Sequence, residues 1–170
     1  RPPLSKAYIK GTAGPDSLFF RPAKFYDDQK IELISDHAAA IDRAARKVRL
    51  ASGATLDYGH LVLATGARNR LLDLPNANLP DVRYLRILDE SEALRACLGF
   101  HKRVVIIGAG FIGLEFAATA RIKGLEVDVV ELASRVMARA VTAVVSDYFQ
   151  ERHRAAGIRI HLGVQATSIE

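Results

Sequence analysis

The chain has one cysteine among its 170 residues, Cys97, so it can build neither a disulfide framework nor a Cys-x-x-Cys redox pair. Cys97 falls in an amphipathic helical stretch over residues 91–98 and reads as a buried structural thiol. Such sparing use of cysteine fits a reducing cytoplasm, the expected compartment. No apolar run approaches the roughly 18 residues a helix needs to cross a bilayer, so no membrane span is expected. Internal repeats and low-complexity segments are absent. No signal peptide is expected, and the chain opens on Arg1-Pro2-Pro3 rather than on methionine. It stops at Glu170, just inside what reads as a strand, so it is expected to be a piece of a longer protein.

One-sided charge is also lacking. The net charge is +5, but the cations are dispersed: Arg43, Arg46, Lys47 and Arg49 surround a predicted turn, whereas Arg152, Arg154 and Arg159 lie far along the chain. No aromatic side chains interleave with them as a stacking platform requires, so nucleic acid is not an expected partner. A basic surface for an acidic protein partner remains open.

What the chain does have is 49% apolar residues, enough to bury a core in one or two domains. Residues 1–98 do not alternate strand with helix. A helical start over 4–9, with Pro3 in its first turn, runs into a Gly/Pro-rich loop over 11–15. A helical turn follows at 25–30, then strands at 31–34, 38–41, 47–51 and 55–57 with a Ser52-Gly53 turn, spaced as an antiparallel meander. Leu61-Val62-Leu63-Ala64 is an uninterrupted apolar run, predicting a strand buried on both faces that ends at Thr65-Gly66. A proline- and asparagine-punctuated loop covers 72–80, and 82–85 reads as one more short strand.

The pattern changes at about residues 99–102. Strand 103–107, helix 112–123, strand 126–130, helix 144–156 and strand 159–161 alternate as β-α-β-α-β, which predicts a parallel, doubly wound sheet with right-handed crossovers. The first helix carries small Ala117, Ala118 and Ala120 for close packing and ends at Gly124, a C-cap glycine. The domain reading is therefore 1–98 and 99–170.

The first strand feeds Gly108-Ala109-Gly110-Phe111-Ile112-Gly113, and the next apolar run ends in a carboxylate, Glu131, 23 positions after the first glycine. This arrangement suits a dinucleotide. Gly108 allows the tight turn, Gly110 admits the backbone to a pyrophosphate, and Gly113 lets helix pack on strand. The helix N-terminus offers amide donors and partial positive charge to the phosphates. Glu131 can accept hydrogen bonds from the adenosine ribose hydroxyls. The same carboxylate opposes the 2′-phosphate of NADP, and the following residues are Leu132, Ala133 and Ser134 rather than an arginine, so NAD is favoured. Arg135 and Arg139 lie a little downstream.

Four motifs together resemble one family. Arg1-Pro2-Pro3-Leu4-Ser5-Lys6, Leu61-Val62-Leu63-Ala64-Thr65-Gly66-Ala67-Arg68, Arg83-Tyr84-Leu85-Arg86 and the glycine motif through Glu115 are similar, in order and spacing, to the oxygenase-coupled NADH-dependent ferredoxin reductases. These are α/β flavoproteins with two dinucleotide-binding domains. The resemblance implies that residues 1–98 belong to an FAD domain containing the antiparallel meander, and 99–170 to a Rossmann NAD domain. It implies FAD and NAD as cofactors, a [2Fe-2S] ferredoxin as partner, and, beyond it, a haem-thiolate monooxygenase.

By the same resemblance, Arg1 and Lys6 lie beside the flavin. Lys6 pairs with Glu115 across the two domains, near where flavin and nicotinamide meet, and these two carry the catalytic role. The backbone at Ala38 meets the FAD adenine, Thr65 and Gly66 pass the FAD, and Arg86 contacts the flavin. Gly108, Gly110, Ile112 and Gly113 line the NADH, with Glu115 toward the nicotinamide end. Glu131 holds the ribose, helped by Arg139. Taken singly, Lys6 reads as a surface lysine, Glu115 as a first-turn helix carboxylate, Arg86 as an ion-pair partner and Thr65-Gly66 as a turn. Only their joint order lifts the functional reading. The resemblance implies that an FAD pyrophosphate fingerprint lies just upstream of Arg1, and that the Gly-Asp element closing on the flavin and the C-terminal interface domain lie beyond Glu170. The 170 residues alone are therefore expected neither to hold FAD tightly nor to turn over. Alternatives of the same fold are an NADH oxidase or a dioxygenase reductase subunit. A different class is an NADH- and FAD-binding redox regulator similar to apoptosis-inducing factor.

Overall fold

The structure, a computed structural model, describes residues 4–170. Contacts gather the chain into two compact units: Phe19–Ala67, and the remainder, up to Leu18 and from Arg68 to Glu170.

The Phe19–Ala67 unit holds helix α1 (Ala23–Asp28) and the meander β1 (Ala38–Asp42), β2 (Lys47–Leu50) and β3 (Thr55–Asp57). Both strand pairs are antiparallel, as expected, with a bulge between Ala38 and Ala40. The first turn is closed by the Asp42 carboxylate, which accepts the Ala45 amide at 2.8 Å, and Arg46 takes the left-handed φ of 51°. Val48 and Leu50 alternate with exposed neighbours and form the buried face of β2.

Two expected strands are not there. Residues 31–34 and 61–64 are irregular, with Leu33 and Val62 exposed. An apolar run becomes a strand only when another strand accepts its amides, and among the described residues no strand pairs with either segment. The same correction applies to 82–85 and to the last residues before Glu170.

In the other unit, helix α2 (Leu88–Cys97) precedes β4 (Arg103–Ile107), α3 (Phe111–Ile122), β5 (Glu126–Glu131), α4 (Ala143–Ala155) and β6 (Arg159–Leu162). Cys97 is half-buried and free. The sheet is parallel in the order β4-β5-β6, with Val104 opposite Val127 and Ile106 opposite Val129. Alternation puts Val104, Ile106, Val127, Val129 and Ile160 on one face, against Leu114, Ala117 and Ala120 of α3. The tight approach of helix to sheet explains the alanines. Gly124, at φ 90°, ends α3 as expected.

The sheet is not doubly wound among the described residues. Strand order advances steadily from β4 to β6, so crossovers of one hand place α3 and α4 on the same face. The two helices meet there, His153 of α4 reaching the Leu114 carbonyl at 3.2 Å. The opposite face is open: Val105 is 64% exposed, beside Asp128, Arg159 and His161. The Asp128 carboxylate accepts both Arg159 Nε (2.8 Å) and Nη2 (2.6 Å) and contacts His161 Nε2 at 2.8 Å. The Arg159 hydrogen bonds, ahead of the opposing desolvation, hold its pKa well below the usual carboxylate range.

Residues 4–8 form one turn of π-helix, ending at buried Tyr8, and the next residue, Ile9, is wholly buried in the core of this unit. The turn is fastened to α2. The buried Ser91 hydroxyl donates to the Leu4 carbonyl at 3.0 Å, and the Tyr8 hydroxyl donates to Glu92 at 2.7 Å. That hydrogen bond and burial raise the Tyr8 pKa above its ordinary value. Glu90 closes the N-terminus of α2, accepting the amides of Arg86 (2.5 Å) and Ile87 (3.0 Å) and the Asn69 side chain (2.5 Å). Burial opposes ionisation of Glu90, but these three hydrogen bonds outweigh it and lower its pKa.

Candidate dinucleotide site

The glycine turn joins β4 to α3, and its three glycines sit in three different environments. Gly108 sits at φ 107°, a left-handed conformation that side chains resist. Its amide donates to the Val130 carbonyl at 2.8 Å, extending the β4–β5 ladder into the turn. A Cβ on Gly113 would stand 2.1 Å from the Gly108 carbonyl oxygen, so α3 can approach the turn only with glycine there. Gly110 is different. Its φ of −79° and ψ of −175° suit any residue, and a Cβ would meet no atom within 4 Å. No packing within the protein demands glycine at this point. The open space lies at the N-cap of α3, where the amides of Phe111, Ile112 and Gly113 precede the first intrahelical bond, Leu114 N to Gly110 O at 3.0 Å. Such a space beside free amides fits the close approach of a pyrophosphate.

Glu131 ends β5 next to this turn. One carboxylate oxygen accepts the Ala109 amide at 2.7 Å and the other accepts the Ala133 amide at 2.8 Å. Two charge-assisted bonds leave it lone pairs for further donors. The loop after β5 returns to the turn, Met137 donating to the Ala109 carbonyl at 2.9 Å. Arg135 clamps that loop internally, giving Nη1 to Val141 O (2.9 Å) and Nη2 to Ala138 O (2.6 Å). Arg139 is exposed in the same loop. A cleft of about 790 Å³ follows the free edge of β4 beside the turn, with Tyr84, Ile106, Gly108, Ile112, Val130 and Ser168 among its walls. It borders the turn at Gly108, Ile112 and Gly113, but neither Gly110 nor Glu131 lines it.

Lys6 and Glu115 do meet: Nζ lies 3.0 Å from a carboxylate oxygen, with the Lys6 side chain 59% exposed and Glu115 22%. Both fall in one compact unit, because the turn at residues 4–8 packs against α3 as well as α2. The second Glu115 oxygen accepts the Ser5 hydroxyl at 2.5 Å, a contact that nothing in the sequence spacing signals. Glu115 is thus fixed from two sides, which holds the ammonium in place.

Other expected site residues are placed as follows. Gly108, Gly110, Ile112, Gly113, Glu115 and Glu131 are gathered around the β4 end and the first turns of α3. Ala38 lies at the start of β1, and Thr65 and Gly66 lie in the irregular stretch before Arg68, Gly66 at φ 71°. These three belong to the Phe19–Ala67 unit. Arg86 is exposed just before α2. Arg1 lies outside the described residues. The contacts that sequence reasoning missed are those of Ser5, the amides of Ala109 and Ala133, and the Arg135 clamp. Only Arg135 left a signal, as a cation just past the acid.

A parallel β-α-β-α-β unit with a glycine turn, a helix N-cap open to close approach and an acid closing the second strand defines a dinucleotide-binding protein. The chain belongs to the pyridine nucleotide-disulphide oxidoreductase family, whose model matches residues 1–170. It is similar to the crystal structure of the ferredoxin reductase for the CYP199A2 system from Rhodopseudomonas palustris, at 69% identity and a TM-score of 0.96 over 100% of this chain and 42% of that one. Rhodocoxin reductase from Rhodococcus erythropolis is 48% identical over 99% of the chain and 40% of its own length. Putidaredoxin reductase, solved in covalent complex with putidaredoxin, is 40% identical with a TM-score of 0.90, over 99% of this chain and 42% of that one. The chain therefore spans about two fifths of the length of the relatives it matches. Among the described residues no helix is long and apolar enough to cross a membrane, and no cluster of metal-ligating side chains occurs.

Proposed function

We propose that this chain is part of an FAD-containing NADH:ferredoxin reductase that serves a haem-thiolate monooxygenase in the cytoplasm through a [2Fe-2S] ferredoxin. Residues 1–98 contribute to the FAD half and 99–170 to the NAD half. The observation that carries the reading is the open approach at Gly110, beside the α3 amides and the Glu131 carboxylate. The likeness to the ferredoxin reductase for the CYP199A2 system supports assigning this activity to that nucleotide site.

In this reading the α3 N-terminus and Gly110 take the pyrophosphate, and Glu131 takes the ribose hydroxyls with its remaining lone pairs, Arg139 assisting. Arg1, Ala38, Thr65, Gly66 and Arg86 serve the FAD. When bound, flavin and nicotinamide supply the hydride and electron chemistry, and the protein supplies position and field. Lys6 places a positive charge beside the flavin, and Glu115 together with Ser5 keeps that charge from swinging into solvent. Glu131 disfavours NADPH by facing a 2′-phosphate with like charge. The test is NADH-driven reduction of a [2Fe-2S] ferredoxin by the full-length holoprotein. Rapid, catalytic turnover is expected. Slow turnover with a long-lived reduced state would assign the protein to the redox regulators instead.

A further inference from the structure

Glu131 makes two contacts that cofactor recognition does not require. Its carboxylate oxygens are already engaged, one by the amide of Ala109 in the glycine turn and the other by the amide of Ala133 in the loop after β5. That loop is tied back to the turn by Met137 N to Ala109 O at 2.9 Å, and to the end of β6 by Gly163 N to Ala133 O at 3.0 Å. Ala109 is fully buried, so its amide has no water to fall back on if the carboxylate leaves. The nearest cation in sequence, Arg135, is spent on the carbonyls of Ala138 and Val141.

We infer that Glu131 is a positioning residue as well as a cofactor reader: its carboxylate latches the glycine turn to the loop after β5 before any nucleotide arrives. NADPH is then excluded by a carboxylate that cannot rotate aside, because two amides hold it. Cofactor preference cannot be reversed by removing that charge alone. Its removal frees the Ala109 amide and loosens the turn that binds pyrophosphate, while Arg135 stays locked in its clamp. The inference deepens the proposed nucleotide site and rests on it for the part that concerns NADH.

The experiment compares wild type, Glu131→Ala and Glu131→Gln in the full-length holoprotein, with two readouts. Amide hydrogen exchange at Ala109 and Ala133 is followed without nucleotide, and dissociation constants are measured for NADH and for NADPH. Wild type is expected to protect both amides before nucleotide is added. Glu131→Ala loses protection at both, and Glu131→Gln at one, since an amide side chain offers one acceptor oxygen and not two. NADH binding weakens about tenfold to a hundredfold in Glu131→Ala, as expected for lost hydrogen bonds to a charged group. NADPH gains less than about threefold, well short of the factor of ten that one decade of affinity represents.

Unchanged protection at both amides in Glu131→Ala overturns the latch, and so does wild type exchanging both freely, a result that holds even if the variants fail to fold. NADPH becoming the tighter ligand in Glu131→Ala also overturns it. Lost protection with unaltered NADH affinity overturns both the positioning role and the assignment of Glu131 to the ribose, whereas unchanged protection with weakened NADH binding overturns the latch alone and keeps Glu131 at the ribose.

Discussion

Replacing Gly113 by alanine separates packing from ligand approach in the glycine turn. The new Cβ would lie 2.1 Å from the Gly108 carbonyl oxygen, 3.2 Å from its carbon and 3.4 Å from Ile106 Cγ2. Two of these are backbone atoms on the rigid end of β4, so no side-chain rotation relieves the clash and α3 must lift from the sheet. Overpacking of this kind costs about 3 kcal/mol at the upper end of its usual range. Alanine in a helix recovers about 1 kcal/mol relative to glycine. The net loss is about 2 kcal/mol, or a fall in melting temperature of roughly 4–8 °C for a cooperative unit of 150–250 residues. Gly110→Ala is the control. Its Cβ meets nothing within 4 Å, so only the poorer N-cap is lost, about 1 kcal/mol or less. Both variants should bind NADH more weakly, Gly113→Ala because α3 has moved and Gly110→Ala because the methyl occupies the pyrophosphate approach. Thermal unfolding and NADH titration of the full-length holoprotein supply the two numbers. A Gly113→Ala protein as stable as wild type, or a Gly110→Ala protein with wild-type NADH affinity, would refute the reasoning.

Lys6→Ala removes the cation that Glu115 and Ser5 hold, so flavin reduction by NADH in stopped-flow should slow by tenfold or more, on the scale of a lost charge-assisted contact; an unchanged rate would show that Lys6 has no part in the reaction. Ser5→Ala leaves the Lys6–Glu115 pair in place and should slow the same step by less than Lys6→Ala, since only one of the two restraints on Glu115 is lost. Ser91→Ala leaves the Leu4 carbonyl without its buried donor and should destabilise by about 1–2 kcal/mol, read from the denaturant midpoint at constant m. Asp128 is a carboxylate with a depressed pKa, so its contribution to stability is complete above its ordinary value of 3.8 and fades as pH falls through the lower folded value. Asp128→Asn should flatten the acid limb of the stability profile below pH 3.8, and an acid limb identical to wild type would remove Asp128 from it.

Legibility in the sequence followed the range of the interactions involved. Strand Arg103–Ile107 and the start of Glu126–Glu131 were plain, because β-branched runs and a fixed glycine spacing are local signals. Helices α3 and α4 each began and ended one residue earlier than their expected ranges, within ordinary fraying. The apolar run at 61–64 misled for the opposite reason. Burial on both faces and pairing along both edges are supplied by other parts of a fold, and composition cannot report whether they are present. The single-faced winding was implicit in the strand order, which no residue pattern states. At the site, the three glycines and Glu131 were readable because each answers to a backbone requirement. The meeting of Lys6 with Glu115 spans 109 positions and was legible only through family resemblance. Ser5 was not legible at all, since a hydroxyl in a helical turn has many uses. The two amides that hold Glu131 were equally invisible, because every residue except proline carries one.

The central claim, an FAD protein reduced by NADH through a site that Glu131 guards, is tested most directly by an anaerobic visible-absorbance titration of the full-length protein with NADH and NADPH in parallel. A flavin spectrum bleached by NADH at far lower concentration than by NADPH is the predicted result. A colourless protein, or one reduced more readily by NADPH, would contradict the account.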